Sequence, residues 1–238
     1  MRRALAVSFV LLLAGLALAQ DLAPEEILER VRAAWQPQSF WARVVLSVSE
    51  EGRTEEWEFE IWGEDDKALV RVLSPEDEAG GGYLVVGDEV WYYSPKVGFS
   101  VQLPELALAE SVFGGTAALE DLFRGTLAKE CEVSADPWEE GWRLVLVPKP
   151  EAPVVWGKLE LWVRKDFALS EMRFFDQRGE ILRTVRASVF LEAGGLPFPT
   201  LIAIEDAHGN QALVQYVDLS LGIDIPDEVF TLEFLEGR

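Results

Sequence analysis

The sequence has one cysteine, one histidine and two methionines in 238 residues. A single cysteine, Cys131, leaves no intramolecular disulfide to form, so the fold must be held by its core alone. One histidine and one cysteine, far apart in the chain, exclude the clustered ligands of a zinc site. The histidine, His208, lies in "EDAHGNQ", which reads as a turn between two strands, where it lacks the buried partner that a general base needs. A Ser-His-Asp triad would have to use that residue, and no G-x-S-x-G elbow is present. Cys131 stands in the alternating stretch "AKECEVS" and reads as a strand residue, not a nucleophile.

Positive charge is also scarce. The chain has 21 Lys and Arg against 42 Asp and Glu, a net charge of −21. That balance repels phosphate backbones and anionic lipid surfaces, so it argues against nucleic acid as a partner and against stable residence on a membrane. The acidic clusters at 64–66 and 76–78 lack the spacing of a calcium loop and read as solvated turns. The run Gly80-Gly81-Gly82 feeds a strand, whereas a phosphate loop opens a helix. With so many carboxylates, a pair placed for glycoside hydrolysis can be drawn almost anywhere and carries no weight. The sequence therefore offers no histidine- or cysteine-based catalytic constellation, no metal-ligand cluster and no cofactor motif, and leaves a carboxylate-only enzyme open.

Apolar residues are abundant, with 9 Trp and 13 Phe. The chain opens with "MRRALAVSFVLLLAGLALAQ": a basic start at Arg2 and Arg3, an apolar run from Ala4 to Leu16, then Ala17-Leu18-Ala19. The run is short for a membrane span of roughly 20 residues, and the small-x-small ending is that of a cleavage site. A signal peptide cut after Ala19 is expected, leaving residues 20–238 as one exported, periplasmic domain. Loss of Arg2 and Arg3 would take the net charge from −21 to −23.

The spacing of Ile27, Leu28, Val31 and Trp35 predicts a helix over 24–35, with acids early, where the helix dipole favours them. The period then changes to two. Strands are predicted at 40–50, 53–64, 67–74, 82–87, 89–94 and 98–103, and again near 126–135, 141–148, 155–165, 168–176, 180–191, 198–206, 210–221 and 229–235. Between the two sets, 105–112 and 116–124 read as short helices split by Gly114-Gly115. Tight turns join consecutive strands, including Asp136-Pro137 and His208-Gly209-Asn210. The pattern is a mainly β, α+β meander: a large antiparallel sheet that curls, covered by about three helices.

Several strands are apolar on both faces. Trp57, Phe59 and Ile61 share one face of their strand, while Trp62, Trp91 and Trp162 sit opposite the main apolar face of theirs. Two explanations stand at this level. Helices can cover the second face and make an ordinary core, or that face can line a concave apolar pocket.

The stretch "VRVLSPEDEAGGGYLVVGDEVWYYSPKVGFSVQL", followed by "FGGTAALEDL", resembles the bacterial outer-membrane lipoprotein-sorting family, which shares the LolA-like fold of the periplasmic lipoprotein carrier. The residues that carry the resemblance are Pro75, Gly82, Gly87-Asp88, Trp91, Tyr93, Pro95 and Glu120-Asp121-Leu122, supported by "EEILERVRAAW" and by "IPDEVFTLEFL" at 225–235. One departure is that Lys96 is followed by Val97, Gly98, Phe99 and Ser100, where members often carry further cations.

The resemblance implies a half-open antiparallel barrel closed by helices, whose concave face takes acyl chains of lipoproteins or lipids. The expected cavity residues are Trp57, Phe59, Ile61, Trp91, Tyr93, Phe99 and Trp162, with Leu106, Leu119, Leu122 and Phe123 on a lid. The expected partners are acyl chains, an inner-membrane release complex and an outer-membrane acceptor, engaged by a monomer. Two other readings remain: a sensor domain that binds an anti-sigma factor or another envelope-stress regulator, and a carboxylate-only hydrolase.

Overall fold

The computed structural model describes residues 22–35, 37–87, 89–104, 130–152 and 154–237. The first helix, α1 (Pro24–Trp35), has Glu25 and Glu26 in its first turn and Arg32 in its last, and buries Ile27, Leu28, Val31 and Ala34 along one stripe. Its polar side is tied by Arg30–Glu26 at 2.7 Å and by Arg32–Glu29. Each large apolar residue of the stripe contributes about 1.5–3 kcal/mol on burial.

Thirteen strands follow: β1 (Ser39–Glu50), β2 (Arg53–Glu64), β3 (Lys67–Ser74), β4 (Gly82–Val86), β5 (Glu89–Ser94), β6 (Phe99–Leu103), β7 (Cys131–Trp138), β8 (Gly141–Pro148), β9 (Lys158–Arg164), β10 (Leu169–Phe175), β11 (Ile181–Ala193), β12 (Leu196–Asp206) and β13 (Gln211–Leu221). They form one antiparallel sheet in the order β6-β5-β4-β3-β2-β1-β13-β12-β11-β10-β9-β8-β7. The sheet is not closed into a barrel, because β6 and β7 are its free edges. Among the described residues, β6 and β7 follow one another in the chain and stand at opposite edges of the sheet.

A sheet of this size curls, and α1 lies inside the curl. It touches β12 and β7, which stand five strands apart in the sheet. The face that carries α1 is called inner below. Its core runs from Val44 and Leu46 on β1 and Phe59 and Ile61 on β2, through Val214 and Ile202, to Met172, Leu161 and Leu144. The inward set alternates with an outward set along each strand, as the pleat requires.

The outer face has its own cover over β2–β5. After β13 the chain turns back through a 3-10 turn, η1 (Asp227–Phe230), and a short helix, α2 (Leu232–Leu235). Thr231 caps α2 by accepting from the backbone N–H of Phe234. Ile225, Val229, Phe230 and Leu235 are buried there against Leu69 and Leu84.

Three sequence expectations change. Residues 229–235 are helical, not a strand. Asp136-Pro137 is not a turn: Pro137 pairs with Trp142 within β7, and the chain turns at Glu139-Glu140. A proline fits there because β7 is an edge strand, whose outward positions need no ladder N–H. Two α-helices stand among the described residues instead of three. Of the three expected, only α1 is among them. The expected helices at 105–112 and 116–124, the strand start at 126–129 and the segment before Ala19 lie outside the described residues.

Candidate functional site

The inner face is apolar and aromatic. Strand parity places Trp57, Phe59 and Ile61 on it, with Phe59 and Ile61 buried in the core and Trp57 half-buried against it. The rings of Trp57 and Phe59 stack at 6.3 Å with an interplanar angle of 5°. On β4 and β5, Tyr83 and Tyr92 are cross-strand partners, with ring centroids 5.0 Å apart. Further along the sheet, Trp142 stacks on Phe167 at 5.6 Å, and Tyr216 meets Phe198 edge-on at 5.0 Å. Burial, aided at Tyr83 by Tyr92, pushes the Tyr83 hydroxyl pKa up to about 12, and burial does the same at Tyr216. Both phenols therefore stay neutral near pH 7 and add no charge to the face. Two buried indole N–H groups, of Trp35 and Trp156, have no hydrogen-bond partner among the described residues.

This apolar face continues to the β6 edge. Val101 is paired with Tyr92, and Phe99 with Ser94. Both β6 side chains are solvent-exposed, Phe99 at 58% and Val101 at 43%. Large apolar side chains at the rim of an apolar face are what a site for an apolar ligand requires.

The other expected cavity residues point away from this face. Trp91 and Tyr93 are half-buried on the outer face, packed with Leu69, Leu84, Phe230 and Leu235. The hairpin β4–β5 thus meets a helical layer through Trp91 and Tyr93 and turns Val90 and Tyr92 inward. The assignment from strand parity, which does not say which face is enclosed, exchanged these roles.

Trp162 is also on the outer face, with no helix over it among the described residues. Its ring lies under Arg173 at 4.4 Å and Arg143 at 6.0 Å. Those cations belong to a cross-strand ladder. Arg143 and Lys158 reach Glu160 at 2.6 and 2.8 Å, while Glu171 takes Arg173 at 2.5 Å and Arg186 at 3.1 Å. Cation–π stacking thus satisfies Trp162 without a ligand. Burial alone would raise the pKa of Glu160, but the bonds from Lys158 and Arg143 outweigh it and hold the carboxyl below its usual range.

The structure therefore brings together Trp57, Phe59 and Ile61, adds Phe99 at the rim, and separates Trp91, Tyr93 and Trp162 from them. The lid residues Leu106, Leu119, Leu122 and Phe123 lie outside the described residues. Tyr83, Tyr92, Val101 and Trp142 belong to the inner face and were missed. Their signal was parity across paired strands, since Tyr92 alternates with Trp91 and is read correctly once Val90 is known to point inward. His208 sits in the β12–β13 turn, where Asp206 accepts from its backbone N–H at 2.8 Å. Cys131 is buried at the start of β7. Among the described residues, no three His, Cys, Asp or Glu side chains group as metal ligands, and no helix is long and apolar enough to cross a membrane.

The fold of this chain is shared with a solved structure of the LolA superfamily and with two other solved structures. A superfamily member from Nitrosomonas europaea is similar, with 24% identity and a TM-score of 0.74 over 90% of this chain and 99% of that one. An outer-membrane lipoprotein-sorting domain from Vibrio parahaemolyticus, described as putative, gives 16% identity and a TM-score of 0.78 over 90% and 98%. A DUF1329 family protein from Desulfovibrio piger gives 17% identity and a TM-score of 0.81 over 89% and 97%. No curated protein matches the chain. The chain has the LolA-like fold. A family model described only as that of an uncharacterized protein matches residues 64–237, and the chain belongs to that family.

Proposed function

We propose that the protein is an exported carrier that binds acyl chains of lipoproteins or lipids on its inner face and moves them through the periplasm toward the outer membrane. The observation that carries this reading is the apolar inner face, aromatic along its length and continued to solvent by Phe99 and Val101. The reading is also supported by the shared fold with a protein described as lipoprotein-sorting and by the signal-peptide pattern that ends at Ala19. An acyl chain needs apolar area without fixed polar partners, and the neutral phenols of Tyr83 and Tyr216 keep the face suited to it. No catalytic step is assigned to the protein. Its acidic surface opposes adsorption to anionic bilayers, which suits a carrier that has to leave them.

The test is uptake of a fluorescent fatty-acyl lipid by purified residues 20–238. Phe99→Asp with Val101→Asp places two carboxylates at the rim without disturbing buried packing, and should weaken uptake by about tenfold or more, given the cost of desolvating a charge. Trp162→Ala, on the outer face, should leave uptake unchanged. Equal uptake by the rim variant, or loss only in Trp162→Ala, would remove the assignment to the inner face.

A further inference from the structure

A cleft opens on the outer face, away from the face assigned to lipid and independent of that reading. It has a volume of about 280 Å³ and lies between the end of the β1–β2 ladder and the chain that returns to η1. Its walls are Trp41, Trp62, Ile223, Ile225, Pro226 and Val229, with Ser220 and Asp224 as the polar groups. Trp41 and Trp62 are directly paired across β1 and β2, so both indoles project from the outer face side by side. Trp62 is already engaged, edge-on with Phe234 at 5.7 Å and with Arg71 at 5.5 Å over its ring. Trp41 is half-buried and has no ring or cation stacked on it among the described residues.

The charge around the cleft has one sign in excess. Asp224 is exposed and has no ion-pair partner among the described residues. Asp227 and Glu64 share a single cation, Lys67, at 2.9 and 3.6 Å. Asp65, Asp66 and Glu228 stand in the adjoining turns. An anionic ligand would be repelled. A neutral apolar ligand would leave the acid unused. A compact cation with an apolar surface uses both features, because its positive charge is attracted to an indole face and to a carboxylate while its methyl or methylene groups take the place of water against Ile223 and Val229.

We infer that this cleft binds an organic ammonium group, held between the open face of Trp41 and the carboxylate of Asp224. The ammonium can belong to a free small molecule or to a lipid head group, and the probes distinguish them.

Residues 20–238 are titrated with choline, with glycerophosphocholine, a net-neutral zwitterion, and with 3,3-dimethylbutan-1-ol, an uncharged isostere of choline, following indole N–H resonances and tryptophan fluorescence. Saturable binding of choline is expected, with the uncharged isostere at least about tenfold weaker. Asp224→Asn should weaken choline by a similar factor without changing the melting temperature, because Asp224 is exposed and unpaired. Trp41→Ala should abolish binding. Tighter binding of choline than of glycerophosphocholine identifies a free ammonium, and the reverse order identifies a phospholipid head group. Absence of saturable shifts, equal binding of the isostere, or unchanged affinity in a folded Asp224→Asn would overturn the inference. None of these outcomes bears on acyl uptake at the inner face.

Discussion

Glu160 shows what the outer surface asks of single residues. Its side chain is 7% exposed, and it remains ionised because Arg143 and Lys158 both donate to it. Its pKa is lowered in the fold, so the stabilisation it provides is fully present above the ordinary carboxylate pKa and is lost as pH falls through the lowered value. Glu160→Gln should therefore cost about 1.5–3 kcal/mol at neutral pH, the range for hydrogen bonds to charged groups. The difference from the parent should close as pH falls through that lowered value. Urea unfolding at a series of pH values measures both, and a constant difference across the series would contradict the account. At this scale the sequence was only partly legible. Alternation placed Trp162 opposite Leu161 correctly, but the arginines that cover Trp162 come from β8 and β10. Periodicity within one strand does not reveal a neighbour that registers across it.

Among the elements, the β4–β5 hairpin was recognised from its glycines and aromatics, and the reason for one glycine is now geometric. A Cβ on Gly82 would lie 2.0 Å from the carbonyl oxygen of Val70 on β3. That oxygen belongs to backbone held in the β3–β4 ladder, so it has little room to give. Gly82→Ala should destabilise by about 1–3 kcal/mol, as overpacking does, read as a lower urea midpoint with an unchanged slope. A neutral result would mean that β3 and β4 can separate locally. The C-terminal segment was misread for an understandable reason. "EVFTLEFL" alternates closely enough to pass for a strand, and its helical signals are short: acids after Pro226, and Thr231 three residues before Phe234. What decides it is tertiary. Leu69, Leu84 and Trp91 need cover, and η1 and α2 supply it, fixed by Lys67–Asp227 at 2.9 Å and by Arg71 donating to the Phe234 carbonyl at 2.5 Å.

For the whole molecule, thirteen strands in meander order were nearly all placed by period and turn chemistry, because each strand pairs with its neighbour in sequence everywhere except at β1–β13 and the two edges. The closure of the meander through β1 and β13 is a long-range pairing with no local signature. The side of the sheet that forms the inside of the curl also follows from that pairing. Parity divides each strand into two faces but does not say which face is enclosed. That is why Trp91, Tyr93 and Trp162 were grouped with Phe59, although the sheet sets them on its opposite side.

The central claim, that the inner face carries acyl chains, is tested most directly by native mass spectrometry of the protein purified without detergent from an exporting host, followed by solvent extraction of what is bound. The account predicts co-purified acyl lipid, retained in Trp162→Ala and depleted in Phe99→Asp with Val101→Asp. A clean unliganded mass that takes up no added lipid would contradict it and leave the inner face as core alone.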